Sequence, residues 1–177
     1  VRALILVPTR ELCAQVGESI RSLTQFLPQA LRVTVVFGGV SINPQLMGLR
    51  GGTDIVVATP GRLLDLIDHN ALTLGSVNTL VLDEADRLLD MGFSDELTRI
   101  LSMLPARRQN LFFSATFPAP VQALAQQLLH DPVRIDVLPE AQAATDIAQQ
   151  AIAVDAGRRT QLLRHLIVTN SWKRVLV

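Results

Sequence analysis

The chain of 177 residues contains one cysteine, Cys13, and one lysine, Lys173, and its formal net charge is zero. A single cysteine excludes an internal disulfide and any metal site built from several cysteines, and it suits the reducing cytoplasm. With 16 basic and 16 acidic residues, no general electrostatic attraction to nucleic acids or membranes is expected. We therefore expect a cytoplasmic protein. If it binds a polyanion, the binding must depend on a local group of residues.

Long apolar segments are also absent. No stretch approaches the roughly 18 uninterrupted apolar residues of a membrane-spanning helix, and no signal-peptide pattern follows Val1, so no membrane partner is expected. The phosphate-binding pattern G-x-x-x-x-G-K-[ST] is missing, because the only lysine follows Trp172. The hydrophobic content of 49% instead indicates a well-packed globular core.

Short apolar, β-branched segments alternate with segments of helical period along the chain. Helices are predicted over 11–27 and over 94–104, the second with Ser94 as its N-cap. Several prolines fall near predicted helix starts, where a missing N–H does little harm: Pro44, Pro60, Pro118 and Pro120. The predicted strands are 2–8, 32–37, 54–59, 79–84, 109–116 and 133–137. This alternation predicts an α/β fold, an open parallel sheet with helices on both faces.

The most informative residues come directly after the apolar segments. In an open parallel sheet, ligands collect outside the carboxyl ends of the strands. The first five segments are followed in order by PTRE, GG, TPGR, DEAD and SAT. We therefore expect these five sequence motifs to meet at one edge of the sheet.

Acidic residues are concentrated after the fourth apolar segment, where Asp83, Glu84 and Asp86 lie within four positions. A carboxylate at the end of a buried strand is a usual ligand for Mg²⁺ beside a phosphate, and a second one can deprotonate an attacking water. The alternative is that these acids only cap the following helix, whose dipole favours negative charge. One acid fits that alternative well, and three fit it poorly.

The ordered set PTREL (8–12), GG (38–39), TPGR (59–62), DEAD (83–86) and SAT (114–116) resembles the N-terminal RecA-like domain of a DEAD-box ATP-dependent RNA helicase. The stretches VFGGVSINPQ and LDMGF look most like the RhlE-like bacterial subgroup. The resemblance implies a RecA-like sheet of the P-loop NTPase type, ATP and Mg²⁺ as cofactors, and RNA as the partner.

The resemblance also implies a role for each matching residue. Asp83 would bind Mg²⁺, Glu84 would be the general base for the attacking water, and Asp86 would pair with the hydroxyls of Ser114 and Thr116. The RNA backbone would lie along residues from three strand ends: Pro8, Thr9, Arg10, Gly38, Gly39, Thr59, Pro60, Gly61 and Arg62. Glycine N–H groups, hydroxyls and arginines are suitable donors to phosphates and grip a backbone without reading its sequence.

Each motif taken alone has a simpler explanation. Gly38–Gly39 fits a plain turn, and TPGR fits a turn that leads into a helix with Pro60 at its first position. Arg10 fits an ordinary surface arginine, while Ser114 and Thr116 fit strand residues that satisfy local backbone groups. Only the joint pattern favours the functional interpretation.

The resemblance divides the chain into parts. The expected parts are a first RecA-like domain, a linker and the start of a second RecA-like domain, at 1–137, 138–146 and 147–177. In the last part we expect a strand over 147–155, a helix over 158–168 and a strand at 174–177. In the family, the phosphate-binding loop precedes PTREL, so we expect an N-terminally truncated fragment that does not hydrolyse ATP alone, although its parent protein does. A sheet without the loop-bearing strand should have a gap or an exposed apolar edge, and we expect self-association through it.

Two other functions fit the sequence. One is a non-enzymatic, truncated RecA-like module for binding or assembly. The other is a DNA helicase or a different nucleotide-dependent translocase on the same fold, since RNA is favoured only through the family resemblance.

Overall fold

A computed structural model describes residues 1–137 and 148–177. They fall into two compact units, Val1–Val133 and Arg134–Val177. The predicted linker 138–146 lies outside the described residues, so the domain boundary stays a prediction. None of the described helices is long and apolar enough to cross a membrane.

The first unit is built on five parallel strands in the order β2-β3-β1-β4-β5. This arrangement confirms the predicted α/β fold. Each strand falls inside an apolar segment of the sequence: β1 Ala3–Leu6, β2 Val33–Val36, β3 Ile55–Ala58, β4 Thr79–Leu82 and β5 Gln109–Phe112.

Seven α-helices accompany these strands in the described residues. They are α1 Arg10–Thr24, α2 Asn43–Leu49, α3 Pro60–Asp68, α4 Ala85–Asp90, α5 Ser94–Ser102 and α6 Ala119–Leu128 in the first unit, and α7 Arg159–Thr169 in the second. All four prolines named above lie at helix starts, as expected. Pro60 opens α3, Pro44 and Pro120 are second residues, and Pro118 directly precedes α6.

Alternate residues of the strands build two cores on opposite faces of the sheet. Leu4 and Leu6 belong to the larger core, which includes buried residues of α3, α4 and α5, whereas Ile5 and Val7 pack with Cys13 of α1. Both faces therefore carry helices, and continuous burial explains why β1 is apolar throughout.

Strand β5 forms one edge of the sheet. Its only strand neighbour among the described residues is β4. Helix α1 packs on β2 and β3, and the apolar side chains of Leu111 and Phe113 are 37% and 54% exposed. The sheet thus ends in an edge that presents apolar surface to solvent.

Three predicted strands are wrong where the structure describes them. Residues 133–137, 148–155 and 174–177 contain no strand, and Val133 and Val137 are 87% and 89% exposed. The apolar pattern of these segments is compatible with a strand, but a strand also needs a neighbour for its backbone hydrogen bonds. The second unit supplies none among its described residues, whereas its predicted helix is confirmed by α7.

Helix boundaries also differ from the predictions. Helix α1 begins at Arg10 and ends at Thr24, not at residues 11 and 27, and α5 ends at Ser102, not at residue 104. Ser94 is the first residue of α5 and not its N-cap, because the chain enters the helix through Phe93, whose carbonyl accepts from the Leu97 N–H at 2.9 Å.

Candidate functional site

The register of the sheet brings the five motifs to one edge. The last residues of the five strands pair directly across the sheet, in the row Val36, Ala58, Leu6, Leu82 and Phe112. Each motif begins one or two residues beyond this row. The acidic residues therefore lie at the same edge as the threonine and arginine motifs, as the sequence predicted.

The strand order also divides the motifs into two groups. GG, TPGR and PTREL follow the adjacent strands β2, β3 and β1, whereas DEAD and SAT follow β4 and β5. The chain leaves β1 towards one side of the sheet and continues from β4 towards the other. The groups therefore meet at a topological switch point, where open α/β sheets form ligand-binding crevices.

The PTREL motif forms the entry into α1. The Thr9 hydroxyl oxygen accepts from the Leu12 N–H at 3.2 Å and caps the helix. Pro8 is buried, whereas the Arg10 side chain is 54% exposed and its Nε donates to Glu11 Oε1 at 3.2 Å. A backbone hydrogen bond and then the Arg10 guanidinium lower the pKa of Glu11. Three residues of this motif were predicted to contact RNA. Among them, Arg10 is charged, and its side chain is exposed enough to reach a ligand.

The Gly38–Gly39 loop follows β2, and Gly39 has a φ of +79° that favours glycine. Before the loop, the Gln45 side chain binds Phe37 twice: Phe37 N–H donates to Oε1 at 3.2 Å, and Nε2 donates to Phe37 O at 3.1 Å. Sequence reasoning missed Gln45. The available signal was a long amide six residues after Gly39, in the first turn of the helix that follows the loop.

The TPGR motif joins β3 to α3, with Pro60 as the first helical residue. The simpler explanation of a turn into a helix is therefore true of this motif as well. Thr59 and Arg62 are 8% and 9% exposed, and Gly61 is partly exposed. Arg62 Nη2 donates to Val40 O at 2.7 Å, so this predicted RNA-binding side chain lies beneath the surface.

Asp83 and Glu84 occupy a tight turn between β4 and α4. Glu84 has φ 48° and ψ 53°, a left-handed conformation that a non-glycine residue rarely adopts. Its N–H donates to Asp83 Oδ1 at 3.0 Å, and its Oε2 accepts from Arg87 Nη1 at 3.1 Å. Backbone strain of this kind is concentrated at functional sites, and here it fixes two neighbouring carboxylates at the strand end.

The DEAD and SAT motifs are joined by hydrogen bonds. Asp86 Oδ2 accepts from the Thr116 hydroxyl at 2.6 Å and from the Thr116 N–H at 3.0 Å. The Ser114 hydroxyl instead accepts from the Asp86 N–H at 3.2 Å and donates to Thr116 O at 2.7 Å. The expected pairing of Asp86 with a hydroxyl is therefore present for Thr116, while Ser114 contacts the backbone of Asp86. The Thr116 hydroxyl is the main cause of the lowered pKa of Asp86.

The acidic residues do not only cap α4. Glu84 is the N-cap residue, but its side chain makes no capping hydrogen bond, and Asp86 is directed to Thr116. Within residues 1–137 and 148–177, no group of three or more His, Cys, Asp or Glu side chains is arranged to hold a metal ion. One carboxylate, Asp83, nevertheless fits Mg²⁺, which keeps several waters and usually takes one or two carboxylates plus substrate phosphates.

Cys13 is a small buried residue of α1. It is fully buried, and its Sγ donates to Val57 O at 3.2 Å. Burial raises the pKa of the thiol to about 12, so the reactive thiolate is not formed at neutral pH.

Comparisons with known sequences find similar proteins that carry names. The ATP-dependent RNA helicase RhlB of Pseudomonas aeruginosa is 41% identical over 179 residues, covering 99% of this chain and 45% of that protein. The ATP-dependent RNA helicase DbpA of Escherichia coli is 40% identical over 166 residues, covering 94% of this chain and 36% of that protein. The chain thus spans less than half the length of these relatives. Their names do not confirm the RhlE-like subgroup.

Solved structures share the fold. The yeast DEAD-box splicing factor Prp28 matches with a TM-score of 0.69 and 37% identity, over 73% of this chain and 30% of that chain. A hypothetical ATP-dependent RNA helicase from Sulfolobus tokodaii matches with a TM-score of 0.67 and 36% identity, over 74% of this chain and 39% of that chain. These matches confirm the RecA-like fold.

The family assignment follows from a match that covers most of the chain. The family model described as DEAD/DEAH box helicase matches residues 1–124, a range that includes all five motifs. The chain belongs to the DEAD/DEAH box helicase family.

Proposed function

We propose that this chain is part of an ATP-dependent RNA helicase of the cytoplasm, in which it binds the backbone of single-stranded RNA and contributes residues to ATP hydrolysis. The common register of the strand ends carries this proposal, because it brings the motifs expected for RNA and for nucleotide to one edge of the sheet. The names of the relatives support the same activity. The sequences of residues 36–45 and 89–93 support membership in the RhlE-like subgroup.

The nucleotide would lie at the ends of β4 and β5, with ATP and Mg²⁺ as cofactors. Asp83 would hold the ion through water, and the hydrogen bond from the Glu84 N–H to its Oδ1 orients the carboxylate. Bound Mg²⁺ supplies positive charge to the transferred phosphoryl group. Glu84 would accept a proton from the attacking water, and the ion pair with Arg87 supports the orientation of its carboxylate.

The RNA would lie along the ends of β2, β3 and β1. Gly38 and Gly39 offer backbone N–H groups that a phosphate can approach closely. Helix α3 presents its N-terminus at the same edge, where the N–H of Gly61 and the helix dipole favour an anion. The exposed Arg10 adds a charged donor. This set explains how a chain without net charge binds a polyanion.

The hydrogen bonds between Asp86 and Thr116 would tie the DEAD motif to the SAT motif at the ends of β4 and β5. In the parent protein, closure of two RecA-like domains over RNA would bend one strand and open a short duplex. The direct bonds between the β4 and β5 ends support a role for the SAT motif in passing changes at the nucleotide towards the RNA.

The test is a binding titration of this chain with a labelled single-stranded RNA and with DNA of the same sequence. Binding of RNA that weakens with salt, with Arg10→Gln lowering the slope of log K against log salt by about 0.7, is expected for one lost phosphate contact. Arg99→Gln, on α5, is the matched control and should leave the slope unchanged. Tighter binding of the DNA would favour a DNA translocase, and absence of RNA binding would refute the proposal.

A second expectation concerns turnover. The sequence lacks the G-x-x-x-x-G-K-[ST] lysine that stabilises the transferred phosphoryl group, so we propose that this chain alone does not release phosphate from ATP. A sensitive phosphate-release assay with RNA present measures this directly, and robust turnover would contradict it.

A non-enzymatic assembly module is the alternative, and the exposed edge of β5 favours it. Leu111 and Phe113 lie exposed beside a strand edge that has no strand partner within residues 1–137 and 148–177, a surface that promotes pairing between chains. We propose that isolated copies of this chain associate through β5. This association is compatible with the helicase proposal, because β5 is the outermost strand on the side of the sheet opposite β2 and β3.

A further inference from the structure

The loop between β2 and α2 is fixed at its first residue by one side chain. Gln45 accepts from the Phe37 N–H at 3.2 Å and donates to Phe37 O at 3.1 Å. The two bonds use both polar groups of the side chain on one residue. They fix the position and the direction of the backbone that enters Gly38.

A second side chain holds the other end of the loop. Arg62 Nη2 donates to Val40 O at 2.7 Å. Its Nε lies 3.5 Å from Asp65 Oδ2 without a hydrogen bond, and neither Nε nor Nη1 has a hydrogen-bond partner among the described residues. Burying a guanidinium with unpaired donors is costly. What the buried guanidinium contributes in return is the hydrogen bond that holds Val40 O.

Steric crowding does not explain why residues 38 and 39, which lie between these anchors, are glycines. A Cβ built on Gly38 or Gly39 would meet nothing within 4 Å. The loop therefore has room to move, and glycine adds conformational freedom. A precise backbone conformation here depends on the anchors at Phe37 and Val40.

We infer that Gln45 and Arg62 are positioning residues that hold the Gly38–Gly39 loop so that its N–H groups face a nucleic-acid phosphate. Arg62 then acts through Val40 and does not touch RNA, in contrast to the exposed Arg10. This inference rests on the proposed RNA binding and replaces the direct contact that the resemblance implied for Arg62.

Hydrogen exchange on the chain without RNA tests the anchors independently of binding. Gln45→Ala should speed exchange of the Phe37 amide, whose N–H donates to the Gln45 side chain, by about tenfold and leave peptides of β1 and β4 protected. Arg62→Gln, which removes the bond to Val40 O, is judged by RNA binding. Matched controls are Gln122→Ala, which removes another side-chain bond to a backbone carbonyl, and Arg99→Gln, which removes an exposed ion pair. Unchanged exchange of the Phe37 amide in the Gln45 variant overturns the inference, even where the Arg62 variant fails to fold.

Salt-dependent RNA binding separates positioning from contact. Both variants should bind a labelled single-stranded RNA about two- to tenfold more weakly, with the wild-type salt slope, because backbone N–H groups release no counterions. A slope lowered by about 0.7 in Arg62→Gln would show a direct phosphate contact and overturn the inference. Wild-type affinity in both variants would also overturn it. If the wild-type chain binds no RNA, the proposed function fails, and the exchange experiment alone decides whether the anchors exist.

Discussion

Asp86 carries the link between the DEAD and SAT motifs through a single carboxylate. The Thr116 hydroxyl, with the N–H groups of Arg87 and Thr116, lowers the pKa of Asp86 below the ordinary value of 3.8. A lowered pKa in the folded state stabilises the fold above the unfolded pKa, and this stabilisation is lost as the pH falls through the folded-state pKa.

We therefore expect Asp86→Asn to unfold more easily than wild type at about pH 7, with the difference shrinking as the pH falls towards about 2. Urea denaturation across this range measures the free energy of unfolding of both proteins. Asp90→Asn, which removes one exposed carboxylate from the same helix, is the matched control for the change of charge. A difference between wild type and Asp86→Asn that is independent of pH would contradict the assignment.

Single residues differ in how well the sequence predicts them. The positions of Asp83 and Arg10 at the carboxyl end of the sheet were predictable, because both come soon after an apolar segment whose limits are visible in the sequence. The burial of Arg62 and the role of Gln45 were not, because both depend on how the loop after β2 folds back against α2 and α3. That path is set by tertiary packing and leaves no period in the sequence.

At the scale of elements, α1 packs against β2 through Gly17. A Cβ at Gly17 would lie 2.2 Å from Val35 Cγ2, so the helix and the strand are in direct contact at this point. Any side chain larger than hydrogen would push them apart.

Gly17→Ala should therefore lower the free energy of unfolding by about 1–3 kcal/mol, the usual cost of overpacking. Gly48→Ala is the matched control, since it makes the same change in α2 where nothing lies within 4 Å. The control should be neutral or stabilising by about 0.5–1 kcal/mol. Chemical denaturation measures both, and equal stabilisation by the two changes would show that the contact is not tight.

The five strands of the sheet were predictable because both faces of a parallel sheet are buried, which makes its strands apolar throughout. The same apolar pattern led to wrong strand predictions at 133–137 and 174–177, where Ile135 and Leu176 are 82% and 101% exposed. Apolar composition reports the tendency of a segment to form a strand, and pairing decides whether the strand forms.

At the scale of the whole molecule, we propose that the edge of β5 governs the association of the chain in solution. We expect the chain to associate at high concentration, and Leu111→Lys to reduce the association, because a charge on an edge strand opposes pairing. Leu23→Lys, at a 70% exposed position of α1, is the control and should leave the association unchanged. Light scattering across a concentration series measures it, and a wild-type chain that stays monomeric would contradict the proposal.

We propose that GG, TPGR and PTREL form one RNA-binding edge because their strands end in register. The most direct measurement is amide hydrogen exchange of this chain with and without a single-stranded RNA. We predict added protection in peptides covering 8–12, 38–41 and 59–62, and no change at the amino ends of the strands. Protection confined to other surfaces, or absent from all three peptides at saturating RNA, would contradict the claim.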